Sequence, residues 1–301
     1  MSGYDLHFRH FDTPKLPAKR PEAHLRNACL IFIDSGGYEL VPDFDSKEIK
    51  IYTYTAKVGC QKREYEAVLK NLIKLREPLP LVITNFDYDT KGRALDIQIS
   101  EAQSIFNEFP TCISDFILKP WPSKGVKGKE VDPSNMSDTD VANLRGFDII
   151  GVTEKELGKD ILDRIKRISI LRLRLDRAKV ASPIHIWGGL DPIMTPLYFF
   201  AGAEIFNGVS WLRYAFRDGL AINREIYAMV SSIGVTASRQ LNHAYASSDN
   251  LIFLGKLTNY LQQWVDFEGK RFDMFDPHVR ENLENAYKIM VSKIDSLKGG
   301  L

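Results

Sequence analysis

Regular alternation of short apolar runs with helical periods predicts an α/β protein, an irregular or abbreviated (β/α)8 barrel of the TIM type with C-terminal helices. Three observations carry this. Six strand-like runs precede residue 210, a helical pattern separates each from the next, and acids or glycines stand directly after the strand ends. No Gly-x-Gly-x-x-Gly turn succeeds any strand, which argues against a dinucleotide-binding sheet. The 301 residues are about twice an ordinary domain, yet one barrel can reach that length. The expected organisation is an irregular leader over 1–28, a barrel over 29–219 and a helical part over 220–301 packed on the barrel.

Cys29 to Ile33 is an apolar run that breaks at Asp34-Ser35-Gly36-Gly37, the pattern of a buried strand entering a tight turn. Gln61 to Arg76 carries Tyr65, Val68, Leu69, Leu72 and Leu75 at helical spacing, and Leu79 to Phe86 is a second strand that stops at Asp87. A helix near Ser100 to Phe109 leads to a strand at Phe116 to Leu118, and one near Asp138 to Arg145 leads to Phe147 to Val152. A long helix over Lys159 to Lys179 precedes Ile184 to Trp187; a last one, Pro192 to Gly202, feeds Ala203 to Phe206. Two further strands would complete an eight-unit barrel, and Lys50 to Tyr54 is a candidate for one. Leu220 to Leu301 reads mostly as helix. Pro120 to Ser137, rich in Pro, Gly, Ser and Lys, is the one long insertion, placed after a strand end where barrel loops face the active site.

Composition narrows the function classes. Hydrophobic residues make up 44% and charged residues 26%, and no apolar run has the ~18 residues of a membrane helix, so no membrane partner is expected. The N-terminal residues lack a signal-peptide core, so a cytoplasmic location is the expectation. Forty basic against thirty-nine acidic residues give a formal charge of +1, too little for a global field that attracts nucleic acid. Any such binding must come from local patches. Cys29, Cys60 and Cys112 stand far apart, and the six histidines show no ligand spacing, so neither a disulfide framework nor a metal site is expected. No cofactor is implied.

The candidate chemistry lies just past the strand ends: Asp34 with Ser35, Gly36 and Gly37; Asp87 and Asp89; Lys119; Gly151 to Glu156; Trp187 with Gly188, Gly189 and Asp191; and Asn207 with Gly208. In a parallel barrel such ends converge on one mouth. Any single acid of this kind is more often a helix cap or turn former. The pairs Gly36-Gly37 and Gly188-Gly189 would leave backbone amides uncovered for a flat ligand or a phosphate, or serve only as turns. Tyr38 and Trp187 beside them could sandwich a nucleobase. Lys124, Lys127 and Lys129, with no acid among them, could meet a phosphate chain or be a solvated loop.

These residues carry a resemblance. Asp34-Ser35-Gly36-Gly37-Tyr38 resembles the DSGGF/Y signature of the tRNA-guanine transglycosylase superfamily. Phe86-Asp87, Gly151-Val152-Thr153, Trp187-Gly188-Gly189 and Ile205-Phe206-Asn207 come in that family's order, over roughly residues 29 to 217. The resemblance implies a barrel that exchanges guanine in a polynucleotide for a 7-deazaguanine base. It implies proton transfer by Asp34 and recognition of the guanine edge by the Asp87 carboxylate, an acceptor toward N1–H and the exocyclic amine. Lys119 stands where the family has a glutamine near the base oxygen, Gly151 and Val152 would offer backbone groups, and Ser35 and Gly188 would line the base. Tyr38 and Trp187 would hold the purine faces, and Arg213 matches an arginine that touches the nucleic-acid backbone.

The implied chemistry parallels retaining glycoside cleavage, in which a carboxylate attacks C1′ and the incoming base displaces it. Here the family's nucleophilic aspartate aligns with Asn207, an amide without the charge that attack requires. Three explanations stand open: a non-catalytic relative that binds nucleic acid or a partner subunit, an aspartate replaced to stop turnover, or another acid, Asp89 or Asp191, in its role. The family's Cys-x-Cys-x-x-Cys zinc element is missing beyond Cys112, so the resemblance is nearest the zinc-less branch that inserts 7-deazaguanines into DNA. The expected partners are therefore DNA rather than tRNA, a 7-deazaguanine base, and a protein partner or a second copy of the chain.

Overall fold

The computed structural model describes residues 30–36, 62–74, 80–87, 92–122, 128–234 and 236–298. The fold is α/β, with a six-stranded sheet in the order β1-β2-β3-β4-β5-β6 and a separate two-stranded hairpin. The strands are β1 Ile31–Ile33, β2 Leu81–Thr84, β3 Ile113–Leu118, β4 Ile149–Thr153, β5 Ile184–Trp187 and β6 Ile205–Asn207, with β7 Tyr214–Arg217 and β8 Leu220–Asn223 in the hairpin. The helices are α1 Lys62–Lys74, α2 Leu95–Glu108, α3 Asp138–Asn143, α4 Ile161–Arg177, α5 Met194–Phe200, α6 Ser210–Arg213, α7 Tyr227–Val230, α8 Arg239–Asp266 and α9 Pro277–Lys298. Strand order equal to chain order is what successive strand–helix–strand units produce, and β1 with β2, β2 with β3, and β5 with β6 pair in parallel. No helix among the described residues is long and apolar enough to cross a membrane. The possible strand at Lys50 to Tyr54 lies outside the described residues.

The chain divides into two compact units. Met1–Val131 with Ser137–Gly151 forms the first, and Asp132–Met136 with Val152–Leu301 the second. In the first, α1 places Tyr65 and Leu69 on the inward side of its 3.6-residue period, where they pack with Ile31, Ile33, Leu81, Ile83, Ile105 and Phe109. Strand β2 is buried along its whole length, so it reads as a continuous apolar run rather than an alternation. Strand β3 begins three residues before the apolar run that marks it, because Ser114 is a polar strand residue with a partner. Its amide and hydroxyl both donate to Asp148 Oδ2 at 2.8 Å, and the Asp148 amide returns a bond to Ser114 Oγ at 2.9 Å. Helix α2 starts at Leu95, earlier than the expected Ser100, since Gln98 is an inward-facing polar residue.

In the second unit, α4 starts at Asp160, whose carboxylate accepts from the Asp163 amide at 2.8 Å, and buries Ile165, Ile168, Leu171 and Leu175. It ends in a Schellman motif: the Val180 amide reaches Leu175 O and the Lys179 amide reaches Asp176 O. Lys179 is thereby held at φ 56°. A left-handed residue with a Cβ costs about 1–2 kcal/mol, partly offset by the entropy a glycine would lose. Lys179→Gly is expected to raise stability by about 0.5–1 kcal/mol, read as a higher Tm, whereas Lys179→Ala leaves it unchanged. The same motif closes α5, where Gly202, at φ 106°, fills the left-handed position at no such cost.

The C-terminal part, expected to be mostly helix, also holds the short strand β8. Asp218 and Gly219, at φ 51° and 77°, form the two-residue turn that joins β7 to β8 antiparallel. Asp-Gly between short apolar runs is the sequence signature of such a turn, which needs positive φ at both positions. Helix α8 anchors this hairpin through Asn250, fully buried, whose Nδ2 donates to Trp211 O and Tyr214 O at 2.6 and 2.8 Å. Its Oδ1 accepts from the Phe216 amide at 2.6 Å. Arg224, also buried, donates to Leu212 O, Ser247 Oγ and, at 2.9 Å, His243 O. Asp276 and Pro277 start α9, and Phe200, Trp264, Phe272, Phe275 and Tyr287 form an aromatic cluster with edge-on and tilted contacts.

Candidate functional site

The first unit gathers four of the residues singled out in the sequence at the C-terminal ends of three adjacent strands. Asp34 and Ser35 succeed β1, Asp87 succeeds β2 and Lys119 succeeds β3. The Ser35 hydroxyl donates to Asp87 Oδ1 at 2.7 Å, and Lys119 Nζ lies 2.8 Å from Asp87 Oδ2. The Asp87 and Lys119 side chains are each only 12% exposed, so this pair is largely withdrawn from water. The three groups meet because parallel pairing sets Ile33 beside Ile83 and Thr84 beside Asp115, bringing the strand ends level.

The electrostatics separate the two carboxylates. Burial alone would raise Asp87, but the Lys119 ammonium, its hydrogen bond and that of Ser35 outweigh burial and hold the group below the usual carboxylate range. Asp34 moves the other way: desolvation first, and then the neighbouring Asp87 charge, push it up to about 7. Near neutral pH the cluster therefore holds one fixed anion and one acid poised to give or take a proton. Asp87 accepts from Ser35 on one oxygen and from Lys119 on the other. An ionised carboxylate offers about two lone-pair positions per oxygen, so each of these oxygens can receive more than one donor.

Three residues outside the candidate set hold this arrangement. Gln98 on α2 clamps the backbone at Lys119, its Oε1 accepting from the Lys119 amide and its Nε2 donating to Lys119 O, both at 3.1 Å. Asn85 does the same one strand over, accepting from the Ile117 amide at 2.6 Å and donating to Ile117 O at 3.3 Å. Tyr65 sends its hydroxyl into the sheet to donate to Thr84 O at 2.8 Å; burial first raises its pKa. The only signal for Gln98 and Asn85 was a polar residue where the local pattern called for an apolar one, which also describes a surface position.

The second unit brings together Trp187, Gly188 and Asn207. Trp187 is the register partner of Asn207 across β5 and β6, and Asn207 Oδ1 accepts from the Gly188 amide at 3.2 Å. Gly188 sits at φ 85°, and a Cβ on Gly189 would lie 2.6 Å from Ile186 Cγ2, so this turn requires both glycines. Trp187 is half-buried and tilts against the buried His185 at 4.4 Å between ring centroids. Asp191 is committed locally: its Oδ1 accepts from the Ile193 and Met194 amides at 2.9 and 3.0 Å, capping the start of α5. Nearby, Glu154 Oε1 accepts from the Tyr198 hydroxyl at 2.7 Å and pairs with Arg164 at 3.0 Å.

The remaining candidates divide plainly. Gly151 and Val152 are buried on β4; Arg213, at the end of α6, and Lys129 are exposed. Tyr38, Asp89, Lys124 and Lys127 lie outside the described residues. Among the described residues, no group of three His, Cys, Asp or Glu is placed to hold a metal ion. The sequence matches no protein-family model and no curated protein.

Proposed function

We propose that this protein is a guanine-transglycosylase-like protein of the zinc-less kind, built to exchange guanine for a 7-deazaguanine in nucleic acid, DNA in preference to tRNA. The fold half of the reading is an incomplete TIM-type barrel, supported by the chain-ordered six-stranded sheet. The observation that carries the chemical half is the carboxylate pair of the first unit. Asp87, ionised and an acceptor on both oxygens, suits the two N–H donors of a guanine edge, and Asp34, near 7, suits proton exchange with a departing or arriving base. In this reading Lys119 sits toward the base oxygen, Trp187 covers a purine face and Arg213 meets the backbone phosphates.

The nucleophile position is Asn207, so the chain as written does not turn over. A carboxylate there would accept from the Gly188 amide as the amide oxygen does, which makes Asn207→Asp a change of charge with little change of shape. The variant is expected to incorporate labelled guanine into DNA on the order of 10⁴-fold above the starting chain, the scale on which covalent catalysts lose activity without their nucleophile. Exchange with tRNA alone would overturn the DNA assignment, and exchange with neither would overturn the catalytic reading. The same Asn207 favours a second reading, a non-catalytic nucleic-acid-binding or scaffold subunit. It predicts DNA retention by both the original chain and Asn207→Asp, with no exchange by either.

A further inference from the structure

Asn207 and Gly208 form the only Asn-Gly pair in the chain, and such a pair can react with itself. A glycine has no side chain to hinder its own amide nitrogen, which can therefore reach the preceding side-chain carbon in conformations closed to other residues. Three features of the second unit bear on that reaction. Asn207 is the last residue of β6, the strand at one end of the sheet order, and Gly208 already lies outside it. Both residues are half-buried, so water reaches them and the backbone is not locked into a core. The Gly188 amide donates to Asn207 Oδ1 at 3.2 Å, the oxygen on which negative charge collects when the side-chain carbonyl is attacked.

We propose that Asn207-Gly208 is a self-processing site, at which the folded chain converts its own asparagine to aspartate. The Gly208 nitrogen gives its proton to hydroxide and attacks Asn207 Cγ; the bond from Cγ to Nδ2 breaks and ammonia leaves, closing a five-membered succinimide. Water then adds to one of the two ring carbonyls and that C–N bond reopens, the Gly208 nitrogen taking back a proton. The sum is amide plus water to carboxylate plus ammonium, with nothing oxidised or reduced. Opening at Cγ restores the main chain and leaves aspartate, whereas opening at the main-chain carbonyl leaves isoaspartate, with the chain routed through Cγ. The surroundings favour the first. Gly188 polarises the Cγ carbonyl, and there is little room at 208 for the extra main-chain methylene of isoaspartate: even a Cβ on Gly208 would lie 3.1 Å from Leu190 Cβ and 3.2 Å from Leu190 N. A carboxylate formed at 207 keeps the Gly188 donor. On the transglycosylase reading, on which this consequence rests, the product is the nucleophile that the encoded chain lacks.

Freshly purified full-length chain held at pH 8.5 and 37 °C tests this, by mass spectrometry of the tryptic peptide 180–213, in which Asn207 is the only asparagine and no glutamine occurs. The expected result is a gain of one mass unit that grows over days, with aspartate the main product and isoaspartate, recognised by its enzymatic methylation, the minor one. In the chain unfolded by guanidinium chloride isoaspartate is expected to prevail, because neither Gly188 nor Leu190 is then in place. Gly208→Ala is expected to slow conversion about 10-fold in both states. A folded chain whose peptide keeps its mass overturns the proposal, as does one that yields mainly isoaspartate or a Gly208→Ala chain that converts at the original rate. Guanine exchange into DNA, followed in the same samples, is expected to rise with the converted fraction. Conversion without exchange upholds the self-processing site and overturns the catalytic reading of position 207.

Discussion

Replacing Lys119 with Met is expected to destabilise the protein by about 3 kcal/mol at pH 7 to 8, the range for removing one partner of a buried ion pair. The cost comes from what is left behind. Asp87 would keep the Ser35 hydroxyl but lose the ammonium that holds its carboxyl low, in a place where burial opposes charge. In the original chain its depressed pKa contributes stability above the unfolded value near 4, lost as pH falls through the lower folded value. In Lys119→Met the folded value rises above the unfolded one, so the penalty is present at neutral pH and fades on acidification as the carboxyl protonates in both states. Urea midpoints at pH 4 and pH 7.5 should show the gap between the two proteins closing at acid. Adding Asp87→Asn should recover most of the loss, because a neutral amide still accepts from Ser35. Asp87→Asn alone should cost less than Lys119→Met, since a lysine stem can carry its charge out to water. If the gap is independent of pH, the pair is not what holds these strand ends together.

The parts of the site visible from sequence were those that obey a general rule: an apolar strand must end, and the residues just past its end meet either a ligand or a turn. Asp34, Ser35, Asp87 and Lys119 were found that way, and so was the sheet, because buried parallel strands leave unbroken apolar runs such as Leu81-Val82-Ile83. Gln98 and Asn85 escaped because a side-chain amide that takes the place of a neighbouring strand's backbone cannot be told from a surface amide until its partner's position is known. Strand β3 was clipped for the same reason, since Ser114 is tolerable inside a strand only through Asp148, thirty-four residues away. The β7–β8 hairpin was legible in principle, from Asp218-Gly219, but β8 exposes three of its four residues and so lacks the apolar run that marks the other strands. The residues at the end of β5 illustrate the opposite ambiguity. Gly188-Gly189 reads equally as a ligand cradle and as turn chemistry, whereas Asp191 reads more readily as a cap, and its Oδ1 does accept from the Ile193 and Met194 amides.

Asp34→Asn is expected to abolish a specific part of the protein's pH dependence. With a folded value of about 7 and an unfolded value near 3.8, Asp34 binds its proton more tightly in the folded state. Between those two values the folded chain holds more protons than the unfolded one, so stability falls as pH rises from 4 to 7 and levels off above 7. This is the reverse of the Asp87 contribution, which lies lower, below pH 4. The asparagine variant keeps the size of the side chain without the titration, so its urea midpoint should exceed that of the original chain at pH 8 and approach it at pH 4.5. The difference should grow steadily from about pH 4 and level off near pH 7. Such a carboxyl costs stability at neutral pH, which is the physical argument for proposing it in proton transfer. On the proposed function, Asn207→Asp restores exchange and adding Asp34→Asn removes it again while making the protein more stable at pH 8. A double variant that still exchanges base at the full rate would leave Asp34 with no role in the chemistry.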